Sequence, residues 1–419
     1  MTDDRPDAGE RAVLVHIHFP AGKMEEDLEE LKELAISAGA KIVHIVTGAR
    51  KTPESRYFVG SGKAEEIRDV VTAAQAELII LNHNLTPAQE RNLERLIKCR
   101  VVDRTGLILD IFAKRARSFE GKLQVELAVL KHLSTRLIRG WTHLERQQGG
   151  IGLRGPGETQ LETDRRLIRN RIKIITARLA KIREQRNQGR RSRRRAVIPT
   201  VALVGYTNAG KSTLFNRLTG SSVYVANQLF ATLDPTLRRM NCVGFGPIIF
   251  ADTVGFIRHL PHHLVEAFHA TLEEVSEADL LLHVVDAHDE QKNTHIDQVK
   301  QVLESIHAEE VPTLLVYNKI DLDTAFSPHT DNNLDGDPAR VFISAYYDRG
   351  IDQLLEAVSE LLGKHFSEQE IILTPLQTKL RAALYERDSV LSEKIDDAGC
   401  YHLRVRLPRD EIKRLLNHG

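Results

Sequence analysis

Residues 200–212 read TVALVGYTNAGKS. An apolar run, then the spacing GxxxxGK[ST], then helix-forming sequence is the context in which a loop wraps phosphates. The backbone N–H groups of Gly205, Tyr206, Thr207, Asn208, Ala209 and Gly210, with the N-terminus of the following helix, are expected to hold a β-phosphate. Lys211 is expected to neutralise β and γ oxygens, and the Ser212 hydroxyl to bind Mg²⁺. On this reading the centre of the chain is a parallel α/β sheet with a nucleotide at one strand end.

Downstream residues fit that reading in order. Asp252 ends a strand in DTVG, spanning Asp252, Thr253, Val254 and Gly255. A carboxylate there can hold Mg²⁺ through water, and the Gly255 amide can meet a γ-phosphate. NKID supplies Asn318, Lys319, Ile320 and Asp321 at the end of the strand LLVY. Asp321 can accept hydrogen bonds from guanine N1–H and the exocyclic amine. Adenine presents the reverse pattern on that edge, so the site discriminates against it. Asn318 and Lys319 brace the base and the phosphate loop, and Ser344, Ala345 and Tyr346 offer a backbone amide to guanine O6. Between the first two motifs lies FATLD, with Phe230, Ala231, Thr232, Leu233 and Asp234. Thr232 is the natural switch threonine for Mg²⁺ and the γ-phosphate. The expected metal set is Ser212, Thr232 and Asp252, and the expected catalytic set is Lys211, Thr232 and Gly255. The residue after DTVG is Phe256, where Ras-type switches carry a glutamine that orients water.

Around this centre the chain divides into an α/β subdomain (1–112), a helical hairpin with a basic linker (113–195), the nucleotide-binding domain (196–366) and a small α+β unit (367–419). In the first, strands 13–19, 42–46 and 78–81 alternate with helices at 24–38 and up to Ala74. A further helix is capped by Thr86 with Pro87 at its first position, and Val101–Val102 is short and extended. In the hairpin, Leu123, Leu127, Leu130, Leu137, Trp141 and Leu144 follow heptad steps with Ser134 as the gap. Leu161, Ile168, Ile172, Ile175, Leu179 and Ile182 do the same with Arg165 as the gap. Two such seams predict paired antiparallel helices, the second from about Leu161 to Gln188 and roughly 40 Å long. GRRSRRR (189–195) is expected as a linker. In the third domain strands are expected near 200–205, 247–252, 280–286, 312–317 and 340–344. Residues 222–241 are expected as a loop with an edge strand, and 322–339 as a polar surface loop. The last unit is expected to hold a strand at 370–373, a helix from Pro375, two strands about the turn Asp397-Ala398-Gly399, and a helix from Pro408.

Net charge is zero over 419 residues, yet residues 114–195 carry 23 lysines and arginines against 7 acidic residues. That segment is +16 and the remainder −16, an electrostatic footprint for nucleic acid or an anionic surface. Cys99, Cys242 and Cys400 are far apart with no ligand spacing, and His262-His263 has none either. A reducing compartment without structural zinc is expected. MTDDRPDAGE is not a signal peptide and no apolar run approaches the ~18 residues of a membrane span, so a cytoplasmic monomer is expected, with at most a peripheral membrane fraction.

GGIGLRGPGETQ (149–160) has five glycines, but no strand precedes it and no GKS ends it, so it is not a phosphate loop. It is expected at the tip of the basic hairpin, where Gly149, Gly150, Arg154, Gly155 and Gly157 contact RNA. GSGK (60–63) is a truncated glycine-lysine signal ahead of a helix, a lesser candidate for ATP.

GGIGLRGPGETQLETDRR directly before the nucleotide motifs, with FATLDPT and DTVGFIRHLPHHLVEAF, resembles the HflX family of ribosome-associated GTPases, within the translational GTPase-like class of P-loop proteins. The resemblance covers essentially the whole chain. It implies the same order of domains, Mg²⁺-dependent GTP hydrolysis to GDP and phosphate, and an arm reaching toward the peptidyl-transferase centre of the large subunit and its rRNA. It also implies stimulation of hydrolysis by that subunit and action on stalled or stressed ribosomes, splitting included. Two other readings stay open from the residues: an RNA-remodelling, helicase-like ATPase, and a membrane-linked regulatory GTPase.

Overall fold

The computed structural model describes residues 9–19, 27–139, 156–195, 198–220, 229–230, 232–242, 245–257, 269–323, 326–386, 389–396 and 398–408. They form two compact units, each considered by itself.

The first unit is built around a parallel sheet of order β2-β1-β3-β4, from β1 (Arg11–His18), β2 (Lys41–Ala49), β3 (Leu78–Leu81) and β4 (Arg100–Val102). β1 and β3 are apolar almost throughout and buried, as strands covered on both faces must be. α1 (Leu28–Ser37) starts where the Asp27 carboxylate accepts from the Glu29 amide, 2.9 Å. α2 (Ser61–Ala74) follows Gly60. α3 (Pro87–Ile97) has the predicted Thr86 cap, completed by Gln89 into a capping box. α4 (Arg104–Arg115) is a helix that the sequence reading left out. Asp103 caps it by accepting from the Gly106 amide, 2.8 Å. Arg104 is fully buried and paired with Glu30 and Asn82. Removing one member of so buried a pair leaves an uncompensated charge, at a cost of about 3–5 kcal/mol.

α5 (Phe119–Arg139) belongs to this unit, and α6 (Pro156–Arg195) belongs to it up to Ala180 and to the second unit from Lys181. Glu126 of α5 takes a bidentate pair from Arg171 of α6, 2.6 and 2.9 Å. Ile175 is buried, and Ile168, Ile172, Leu179 and Ile182 are shielded while Leu167 and Ile174 are exposed. The α6 seam therefore holds from Ile168 to Ile182, while Trp141 and Leu144 lie outside the described residues. Two expectations fail. α6 begins at Pro156, so Gly157 lies in helix rather than in a loop, because proline suits the first helical position. It also continues through 189–195, which the reading made a linker; arginines are good helix formers. Forty residues make it about 60 Å long.

The second unit holds a seven-stranded sheet of order β10-β11-β9-β8-β5-β7-β6. Its strands are β5 (Thr200–Val204), β6 (Thr236–Cys242), β7 (Gly246–Asp252), β8 (Leu280–Asp286), β9 (Thr313–Asn318), β10 (His329–Asn332) and β11 (Pro338–Phe342). The pairs β6–β7 and β10–β11 are antiparallel and the rest parallel. β10 corrects the expected loop at 322–339. Asn333 nucleates a turn by accepting from the Asp335 and Asp337 amides, which returns the chain alongside β11. Its polar residues carry no apolar alternation to announce a strand. α7 (Lys211–Thr219) and α10 (Ile351–His365) bury Leu214, Phe215, Leu354 and Val358 against Val201, Leu203, Val316 and Val341. α8 (His269–Ser276) and α9 (Lys292–Ser305) contribute Val275, Ile296 and Val299 to the interior.

The end of the chain adds β12 (Phe366–Leu373), α11 (Thr378–Glu386), β13 (Val390–Ile395) and β14 (Tyr401–Pro408), in sheet order β12-β14-β13. Leu373, Leu384, Leu403, Val405 and Leu407 form its own small core. Phe366 joins the larger one, and the Arg406 guanidinium lies 4.3 Å over the Phe245 ring. The helix expected from Pro408 lies outside the described residues, as do His262-His263.

Candidate nucleotide site

β5 delivers the chain at Val204 into the loop 205–210, and α7 opens at Lys211. Gly205 has φ +145 and a Cβ there would fall 2.2 Å from the Val284 carbonyl oxygen. Gly210 has φ +93, and a Cβ there would fall 2.3 Å from Asn318 Nδ2. Only glycine lets the loop run against β8 and β9 this closely. Asn208 takes the left-handed conformation, φ 62, which asparagine tolerates better than most residues.

Lys211 is 6 % exposed and donates to the Gly205 and Tyr206 carbonyls, 3.0 and 2.7 Å. Burial pushes its ammonium down to about 8, while Asp252 pulls it back up. Ser212 Oγ donates to Asp252 Oδ2 at 2.9 Å, and Asp252 is fully buried. A hydroxyl and a carboxylate side by side are hard oxygen donors of the kind Mg²⁺ prefers, with phosphates completing the shell.

The DTVG segment runs beside the phosphate loop. Thr207 N donates to Phe256 O, 2.8 Å, and Phe256 N to Gly205 O, 3.1 Å. Thr253 is buried, and its hydroxyl donates to Leu203 O at 2.5 Å, which pins the segment to β5. A Cβ on Gly255 would lie 2.7 Å from Thr207 Cγ2 and 3.1 Å from Lys211 Nζ. Phe256 is buried, its side chain serving packing.

Asn318 joins two loops. Its Nδ2 donates to Ala209 O, 2.9 Å, and its Oδ1 accepts from Ala345 N, 3.0 Å. Ile320 is buried, with its amide on Ile343 O. Ser344 Oγ donates to Asp321 Oδ1, 2.5 Å, and Tyr346 is exposed. Asn318, Asp321 and the 344–346 loop are therefore linked to one another, and Asn318 ties them to the phosphate loop at Ala209.

The family model described as "GTP-binding GTPase N-terminal" matches residues 25–113, "GTP-binding GTPase Middle Region" 115–193, and "50S ribosome-binding GTPase" 200–319. GTPase HflX of Escherichia coli (strain K12) is 57 % identical over 412 residues, 98 % of this chain and 97 % of that protein. GTPase HflX of Caldanaerobacter subterraneus subsp. tengcongensis is 50 % identical, over 93 % of this chain and 89 % of its own. The chain belongs to the HflX family of GTPases. A solved structure, "crystal structure of SsGBP and GDP complex", matches 85 % of the chain and 99 % of its own at 26 % identity, with TM-score 0.48. The HflX-family chain hydrolyses GTP to GDP and phosphate.

Three groups in this HflX-family site escaped the sequence reading. Asp286, at the end of β8, pairs with Lys319 at 2.7 Å and thereby fixes the lysine of NKID. An acid closing the apolar strand LLLHVVD was the available signal. Arg217 of α7 donates to the Ala345 and Tyr346 carbonyls, 3.1 and 2.9 Å, and holds the loop at 345–346. The Tyr206 ring stacks on His295 at 3.9 Å and 13°, and His295 Nδ1 lies 2.5 Å from Asp289 Oδ2. No local motif announces the last two.

Leu229, Phe230, Thr232 and Leu233 belong with the first unit, Asp234 with the second. Leu229 N donates to Ser37 Oγ, 2.9 Å, and Phe230 packs edge-on against Phe112, centroids 4.6 Å apart. Ala231 and the arm-tip residues Gly149, Gly150, Arg154 and Gly155 lie outside the described residues. In GSGK, Lys63 donates to Thr47 O, 3.0 Å, and pairs with Glu66, 2.7 Å. Among the described residues no helix is long and apolar enough to cross a membrane.

Proposed function

We propose that this GTPase engages the large ribosomal subunit and its rRNA through the basic two-helix arm and uses the GTP cycle on stalled or stressed ribosomes, separating their subunits. The observation that carries the reading is the +16 of residues 114–195, most of it on α6. A positive rod of this length suits phosphate backbones. The description "50S ribosome-binding GTPase" of the model matching 200–319 supports the same partner. Gly149, Gly150, Arg154, Gly155 and Gly157 are the proposed RNA contacts.

Within the site, Lys211 exchanges the Gly205 and Tyr206 carbonyls for β and γ oxygens. The loop amides and the start of α7 hold the phosphates, and the Gly255 amide meets the terminal one. Asp321 accepts from guanine N1–H and the exocyclic amine, while Asn318, Asp286 and Arg217 hold the loops around the base. Ser212 and Asp252, with Thr232 from the FATLD segment, are the proposed ligands of Mg²⁺, which when bound neutralises charge on the β and γ oxygens. The ATP reading of GSGK loses support because Lys63 is engaged with β2 and Glu66.

The test is a ribosome sedimentation profile with GTP, GDP and a non-hydrolysable GTP analogue. We expect co-migration with the large subunit in the analogue state, and subunit peaks growing at the expense of whole ribosomes. Equal sedimentation in all three nucleotides, or none with ribosomal particles, would end this reading.

A further inference from the structure

Thr207 is the second variable residue of the phosphate loop. It is 7 % exposed, and its Oγ1 is buried with no hydrogen-bond partner among the described residues. Nearby hydroxyls are occupied: Ser212 on Asp252, Thr253 on Leu203 O. A buried hydroxyl left unpaired is costly, and native proteins contain few. Valine has the same shape without that penalty, so an unpaired threonine here points to a partner supplied from outside the chain.

Its surroundings name the partner. The point where a Gly255 Cβ would sit is 2.7 Å from Thr207 Cγ2, 3.0 Å from Thr207 Cα and 3.1 Å from Lys211 Nζ. The Thr207 methyl, the Gly255 backbone and the Lys211 ammonium thus converge on one spot, with the hydroxyl on the same Cβ as that methyl. Thr207 is held there by its amide on Phe256 O, and its neighbour Tyr206 by the His295 ring. Phe256 itself has no hydrogen-bonding side-chain atom and is 2 % exposed.

We propose that Thr207 is a catalytic residue of GTP hydrolysis: its hydroxyl donates a hydrogen bond to a terminal phosphoryl oxygen of GTP and strengthens that bond as hydrolysis proceeds. The water oxygen bonds to the γ phosphorus. The bond from that phosphorus to the bridging oxygen breaks, and its electron pair leaves with GDP. The water proton ends on inorganic phosphate, so Thr207 is not consumed and keeps its own proton. A donor that tightens on the transferring group speeds the step. The proposal rests on the assignment of Lys211 and Gly255 to the terminal phosphate.

The full-length protein, in excess over GTP, is followed by phosphate release for wild type, Thr207→Val and Thr207→Ser. GDP and GTP-analogue affinities and the melting temperature without nucleotide are measured alongside. Thr207→Val is expected to hydrolyse at least tenfold more slowly, about 1.4 kcal/mol of barrier. It should bind GDP within twofold of wild type and melt no lower, since it removes an unpaired hydroxyl and keeps the packing on Gly255. Thr207→Ser should retain the rate within about threefold. A wild-type rate in Thr207→Val, equal loss of GDP and GTP affinity, or a serine variant as slow as valine overturns the proposal. Lys211→Ala separates it from the reading beneath: if that variant keeps full GTP affinity, the phosphate assignment falls and the proposal with it. If it loses nucleotide while Thr207→Val stays fast, only the role of Thr207 falls.

Discussion

Ser344 Oγ donates to Asp321 Oδ1 across 2.5 Å, so the carboxylate proposed to read the base is oriented by the chain itself. Asp321→Asn replaces an acceptor with an amide whose donor can face guanine's own donors, at a cost of about 2–4 kcal/mol. GTP affinity should fall and xanthine nucleotides should gain. Competition binding with GTP and XTP measures it; unchanged GTP affinity with no gain for XTP would remove Asp321 from the base site.

Lys211 supplies a pH dependence. Its ammonium is held down to about 8 by burial, against about 10.4 in an unfolded chain. Between those values the folded, nucleotide-free protein binds fewer protons than the unfolded chain, so its stability should rise with pH in that window. Nucleotide affinity should move the other way, because phosphates need the charged form. The Kd for GDP should be flat below pH 8 and weaken about tenfold by pH 9. Lys211→Arg, charged throughout, should bind more weakly but without the slope. A flat wild-type profile would contradict the depressed lysine.

The stack of Tyr206 on His295, oriented by Asp289, should matter to binding rather than to chemistry. His295→Ala removes a ring contact worth about 1 kcal/mol, so GTP and GDP affinities should fall together by roughly fivefold. His295→Phe keeps a ring and should recover most of that loss. Fluorescent-nucleotide titration decides; a loss confined to GTP would place His295 at the terminal phosphate instead.

The arm makes ribosome association salt-dependent. With six or more phosphate contacts, affinity should drop about a thousandfold between roughly 50 and 200 mM salt. Removing residues 149–160 should abolish association and leave GTP affinity within about twofold, because the tip lies outside the nucleotide motifs. Pelleting with large subunits over a salt series gives the slope, and a slope near zero would assign the contact to protein instead.

What the sequence by itself determined was everything of short range. A strand, a glycine loop and a helix start follow one another in TVALVGYTNAGKS, so the phosphate loop was legible without a fold. The Thr86 cap needed only Pro87 at the next position, and the seam of α6 needed only its own heptads. GYTNAGKS, DTVG, NKID and Ser344-Ala345 were legible because each follows a strand of the parallel central part of one sheet, and parallel order brings strand ends together whatever the loops between them do. Tertiary structure decided the rest, since those groups depend on partners distant in the chain. Asp286 matters only because β8 lies beside β9, which places it on Lys319. Arg217 matters because α7 passes under the loop at 344–346. β10 exists because Asn333 turns the chain back onto β11, not because its own residues favour a strand. The unpaired hydroxyl of Thr207 is the extreme case. Its burial arises from Gly255 and Phe256, some fifty positions away, and a residue's unmet hydrogen bond can be recognised only when everything packed around it is known.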